Sequence, residues 1–127
     1  MKTATAATLM LVRLTGLILI VLGASFWTGH AFALIPLHKQ VGYLFVLLFW
    51  TLAALAARAG VAPGFVGLAI AWGLAVAALG MTQDRLLIGD VHWVIKVLHL
   101  LVGLGAMGLA EGLAARIKQT PIPALQQ

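Results

Sequence analysis

The sequence predicts an all-α integral membrane fold, an up-down four-helix bundle with both termini cytoplasmic, built as one membrane domain over residues 1–127. Composition points to the membrane. The chain is 63% hydrophobic and only 9% charged, where soluble domains are about 45–50% apolar and about 25% charged. Four separate apolar runs come close to the length of about 20 residues that a crossing helix needs. An even number of spans returns the C-terminus to the side of the N-terminus, and the basic residues choose that side. Lys2, Arg13, Arg58, Arg116 and Lys118 flank it, whereas Lys39, Arg85 and Lys96 flank the other, so the positive-inside rule assigns both termini to the cytoplasm. The expected location is a bacterial-type inner (plasma) membrane.

The first span is expected over about 14–30, LTGLILIVLGASFWTGH. A lysine, an apolar stretch and AFA at 31–33 imitate a secretory signal, but the apolar stretch outruns a signal core, so the segment is kept as an uncleaved helix. The second is expected over about 36–57, with Pro36 in its first turn, where a missing N–H costs nothing, and Arg58 at its end. The breaker AGVAPG then leads into a third span over about 64–81. The fourth is expected over about 91–115, with Asp90 as its N-cap after Gly89. The tail QTPIPALQQ, polar with two prolines, is expected outside the bilayer. Trp27 and Trp93 fall at outer span ends, as in an aromatic belt, while Trp50 and Trp72 lie deeper. The series Gly64, Gly67, Gly73 and Gly105, Gly108, Gly112 suit close helix–helix approach.

Several chemistries are excluded. The absence of cysteine removes disulfides, thiolate iron–sulfur ligation and Cys-based zinc sites. The net charge of +5 is dispersed along the chain, so no nucleic-acid partner is expected. The only acids, Asp84, Asp90 and Glu111, share no site by spacing, which argues against paired-carboxylate catalysis. Nucleophile-elbow, phosphate-loop, H-E-x-x-H and dinucleotide signatures do not occur. The inner halves of the spans carry few polar groups, Thr51 and Glu111 among them, which argues against conduction. Glu111 lies twelve residues past His99, about 18 Å deeper, and is expected to pack at the inner face or pair with Arg116.

The four histidines form the one constellation. His30 ends span one, His38 begins span two, and His92 and His99 begin span four, so alternating helix directions bring all four to the outer side. His30, His38 and His99 are similar in depth when measured against Arg13, Arg58 and Arg116, and His92 is about 10 Å further out. In an up-down bundle spans two and four are diagonal, so His38 and His99 face each other across the core. Each stands one turn from a glycine on its own helix face, Gly42 and Gly103, which leaves a gap beside each ring. Two neutral imidazoles with room between them suit the axial positions of a haem. The plainer reading of His30 and His92 is interfacial or hydrogen-bonded histidine, and the functional one is a second metal or the edge of the cofactor.

This arrangement resembles small four-helix transmembrane b-type cytochromes, in which histidines of spans two and four ligate haem. The resemblance covers the four-span region and rests on architecture and the two H-x-x-x-G pairs. It implies a haem b protein exchanging electrons with a quinone-like or radical species or a periplasmic redox partner, with oxidoreductase activity among its readings. Many such cytochromes stack two haems. The chain has no histidine near the inner side, so one haem near the outer face is expected. Lys96 then has two readings, a charge reaching a haem propionate or a side chain snorkelling to the headgroups; Arg85, in the outer loop, is a second propionate candidate whose plainer reading is a pair with Asp84. Two other functions fit the same residues: a copper or zinc protein using the histidine cluster, and a small accessory subunit of a respiratory or photosynthetic complex.

Overall fold

The order of the helices follows from where the chain is broken. The computed structural model describes residues 1–121: α1 (Lys2–Trp27), α2 (Ile35–Arg58), α3 (Pro63–Thr82) and α4 (His92–Gln119), with short 3-10 turns at Phe32–Leu34 and Gln83–Arg85. No strand occurs among the described residues. All four helices are long and apolar enough to cross a membrane. The expectation for the tail falls mostly on residues 122–127, outside the described residues.

Two of the breaks use one device. Gly29 and Gly60, both at φ +84°, take the left-handed conformation that closes a helix C-terminus without a Cβ penalty. The amides of Gly29 and His30 donate back to the carbonyls of Phe26 and Ser25, and those of Gly60 and Val61 to Ala57 and Ala56. Pro36 and Pro63 then stand in the first turns of α2 and α3, where no amide hydrogen is needed.

The ends of α1 and α4 depart from the expected spans. α1 starts twelve residues before the expected Leu14, because Ala, Leu and Met make residues 2–13 good helix formers and Arg13 does not end the helix. It also stops short of His30, since Gly29 turns the chain at Thr28. α4 continues to Gln119, with Arg116 and Lys118 in its last turn, where cations suit the helix dipole. Its N-cap is Val91, without a side-chain cap bond, so Asp90 does not take that role.

α1 packs on α2, α2 on α3, α3 on α4 and α4 back on α1, while α2 and α4 also touch across the diagonal. Pairs such as Phe65 with Gly112, Trp72 with Gly105 and His99 with Gly80 run in opposite directions along α3 and α4. The same holds for Arg13 with Glu111 and Gly16 with Met107 on α1 and α4. Both described chain ends therefore lie at one end of the bundle. The hydrophobic core gathers there: Val12, Phe45, Phe49, Leu52, Ala53, Ala56, Ala69, Ala110 and Leu113 are buried.

Two tryptophans act as knobs between helices. The Trp50 indole N–H donates to the Ile70 carbonyl (3.2 Å) and that of Trp72 to the Val102 carbonyl (2.9 Å). A Cβ on Gly73 would strike Trp50, and one on Gly105 would come within 2.6 Å of Trp72. Gly112 similarly receives Phe65. Gly64, Gly67 and Gly108 differ from expectation: no described neighbour comes within 4 Å of where their Cβ would be. Small residues here make sockets for aromatic rings at three positions and open surface at the other three.

Candidate functional site

The end of the bundle away from the core is hollow. The C-terminal halves of α1 and α3 and the N-terminal halves of α2 and α4 enclose a cavity of about 580 Å³, within the range of about 300–1,000 Å³ usual for ligand pockets. Its walls are mainly apolar, and His38 from α2 and His99 from α4 project into it.

The two imidazoles have centroids 6.4 Å apart and planes inclined at 56°. Rings bound on opposite sides of one metal ion, through nitrogen bonds of about 2.0–2.1 Å, have centroids about 6.3–6.5 Å apart. Both Nδ1 atoms are buried and have no hydrogen-bond partner among the described residues. Leaving such an atom unsatisfied costs about 1–3 kcal/mol, a cost usually retained where a further group completes the site. Phe26 meets His38 edge-on at 5.4 Å between centroids and limits its rotation.

Glycines bracket the rings on two sides. Gly42 and Gly103 both line the cavity: no described neighbour comes within 4 Å of a Cβ placed on Gly103, and only the tip of Leu19 reaches 4.0 Å from one on Gly42. The structure adds a second pair that sequence reasoning missed. Gly23 of α1 backs His38, with the ring Cε1 3.8 Å from its Cβ position, and Gly80 of α3 backs His99 at 3.5 Å. Each hairpin thus supplies one histidine and, from its preceding helix, one glycine beneath it. In the sequence these glycines sit among many others, and only the rotation of α1 and α3 singles them out.

The other expected site residues divide. Lys96 and His92 line the cavity. His92 Nδ1 donates to the Leu86 carbonyl (3.0 Å), which ties the α3–α4 connection to the start of α4. His30 does not reach the cavity: it lies beyond the Gly29 turn, exposed, with Nδ1 3.2 Å from the Thr28 hydroxyl. Arg85 is also outside the lining, because the turn Gln83–Arg85 directs Gln83 and Asp84 to the cavity instead. No ion pair joins Arg85 to Asp84 among the described residues. Nor does any group of three or more His, Cys, Asp or Glu there come together as a metal cluster.

Glu111 pairs differently from expectation. Its carboxylate accepts two bonds from Arg13, 2.6 Å from Nε and 2.9 Å from Nη2, across the α1–α4 seam and about half exposed. Arg116 instead lies 3.7 Å over the Phe65 ring and donates to the Gly112 carbonyl, beside a shallow recess of about 260 Å³ at the core end.

Compared with family models, curated proteins and solved structures, the chain has no match. What the site can do therefore rests on its own geometry. Two imidazoles are too few for a closed zinc site, which takes four protein ligands, or a catalytic one, which takes three. They suit a metal that brings its equatorial ligands with it. A flat cofactor held by His38 and His99 would find open space at Gly42 and Gly103, which line the cavity, while Gly23 and Gly80 seat the two rings. The residues present fit a haem.

Proposed function

We propose that the chain is an integral membrane haem b protein, with His38 and His99 as the axial ligands, that transfers electrons at the outer face of a bacterial-type inner membrane. One observation carries the reading: two half-buried imidazoles on diagonal helices, 6.4 Å apart between centroids and each with a buried, unpartnered Nδ1, project into one apolar cavity. When bound, the haem iron supplies a one-electron couple. The residues of the chain hold and shield it. His38 and His99 would anchor it from two helices, Gly23 and Gly80 seat those rings, Gly42 and Gly103 leave room beside them, and the apolar walls would limit water.

The dry core beyond the cavity, with Phe49 and Leu52 fully buried, favours exchange from the histidine end. The partner there is a small quinone-like or radical species, or a periplasmic redox protein, and turnover makes the chain an oxidoreductase. Insertion in the bilayer is supported by the four apolar helices and by the hydroxyls of Thr15, Ser25, Thr51 and Thr82. Each hydroxyl returns to the carbonyl one turn back and so needs no water. The basic residues favour cytoplasmic termini. A copper or zinc role for the histidines has less support, because only two of them meet. Membership in a larger respiratory complex is compatible with haem binding.

The test is a visible spectrum with a pyridine haemochrome assay on protein from haem-replete cells. A Soret band and one haem b per chain are expected, lost in His38→Ala and in His99→Ala. A colourless preparation, or bound copper or zinc in place of iron, rejects the proposal.

A further inference from the structure

The cavity has a charged rim that follows from two matching helix stripes. On α2, Lys39, Tyr43, Val46 and Trp50 recur at spacings of four, three and four; on α4, Lys96, Leu100, Gly103 and Met107 repeat the same spacings. Residues so spaced share one helix face. The inner ends of the stripes are sealed against different neighbours. Trp50 packs on Gly73 and Ile70 of α3, and Met107 packs against Gly16 of α1. The stripes therefore run along opposite seams of the bundle, α2–α3 and α4–α1, and all their members except Trp50 line the cavity.

The outermost member of each stripe is a lysine. Lys39 follows His38 directly, and Lys96 precedes His99 by less than one turn. Side chains on a helix tilt toward its N-terminus, and α2 and α4 both begin at the open end of the bundle, so both ammonium groups lean to the cavity mouth. Both lysines are exposed, and neither has a salt bridge or side-chain hydrogen bond among the described residues. Asp84 also lines the mouth, which leaves two cations against one carboxylate. His92, a further ionisable group there, is bonded through Nδ1 to the Leu86 carbonyl.

We propose that Lys39 and Lys96 are paired anchors for the two carboxylates of an iron porphyrin, one in each of two opposite seams. The inference rests on the haem reading and changes its anchors: Lys39 takes the place in which the sequence suggested Arg85. A ligand edge with two carboxylates meets one cation on either hand, while the apolar macrocycle lies against the glycines and the histidines. Lysine acts here as a mobile point charge, which suits a carboxylate at a wet rim.

The experiment uses the full-length chain, purified without haem in a mild detergent, and titrates it with haemin and with haemin dimethyl ester while following the Soret band. The ester keeps the iron and the flat ring and lacks both negative charges. Wild type is expected to bind haemin about tenfold more tightly than the ester, and Lys39→Ala/Lys96→Ala to bind both with the affinity wild type has for the ester. Lys39→Arg/Lys96→Arg is expected to restore the preference. Helical content by circular dichroism should be unchanged, because both lysines are exposed. If wild type binds the two porphyrins equally, or the double alanine variant keeps its preference for haemin, the lysine assignment is overturned while haem binding stands. If wild type binds neither porphyrin, both readings are overturned.

Discussion

Gly103 and Gly105 lie two residues apart on α4 and should respond oppositely to a side chain. A Cβ on Gly103 faces the cavity, with no described neighbour within 4 Å. Gly103→Ala therefore has no clash and gains the helix preference of alanine over glycine, about 0.8–1 kcal/mol. A Cβ on Gly105 would come within 2.6 Å of the Trp72 ring, whose indole is held to the Val102 carbonyl at 2.9 Å. The ring can yield only by lengthening that bond. Overpacking costs about 1–3 kcal/mol and the weakened hydrogen bond about 0.5–1.5, against the same propensity gain, so Gly105→Ala is expected to destabilise by about 0.5–3.5 kcal/mol. Gly103→Leu extends the contrast to function. It should hold or raise the stability of the haem-free chain, yet abolish the Soret band by filling space one turn from His99. Denaturant titration in detergent by circular dichroism, beside a haemin titration, reads both quantities. Equal shifts for the two alanine variants would refute the packing argument, and wild-type haemin affinity in Gly103→Leu would refute the cavity as the binding place.

Three other tests probe the frame. Arg13→Ala and Glu111→Ala each leave one charge without its partner, so either single variant should be less stable than the double variant, and a double-mutant cycle read by denaturant titration should show favourable coupling between the two positions. Trp72→Phe keeps most of the knob and loses the bond to Val102, a destabilisation of about 0.5–1.5 kcal/mol by the same denaturant titration. Single cysteines at Lys2 and Ile88, labelled in intact cells with an impermeant maleimide, report orientation: labelling at 88 and protection at 2 is expected, and the reverse would invert the proposed topology.

Much of the architecture is local information and could be read without coordinates. α2 and α3 begin and end within a residue of expectation, because Pro36, Arg58, Pro63 and the glycine turns are boundary signals that act over a few residues. His38 and His99 could be assigned to facing helices from span order alone. The start of α1 depends on a distant partner: Arg13 ends the apolar run in sequence, but its charge is matched by Glu111, 98 residues away, and the helix continues through it.

The sequence by itself determined the number of long apolar helices, their order and the end of the bundle that carries His38, His92 and His99, since hydropathy and helix breakers depend only on neighbouring residues. Tertiary structure decided which faces meet. Helices that are apolar nearly all round carry no stripe to fix their rotation. The sockets at Gly73 and Gly105, the glycines behind each imidazole and the entry of Lys39 were therefore settled by packing. Loop conformation decided the rest: the turn at Gln83–Arg85 leaves Arg85 outside the cavity, and the left-handed turn at Gly29 carries His30 away from it.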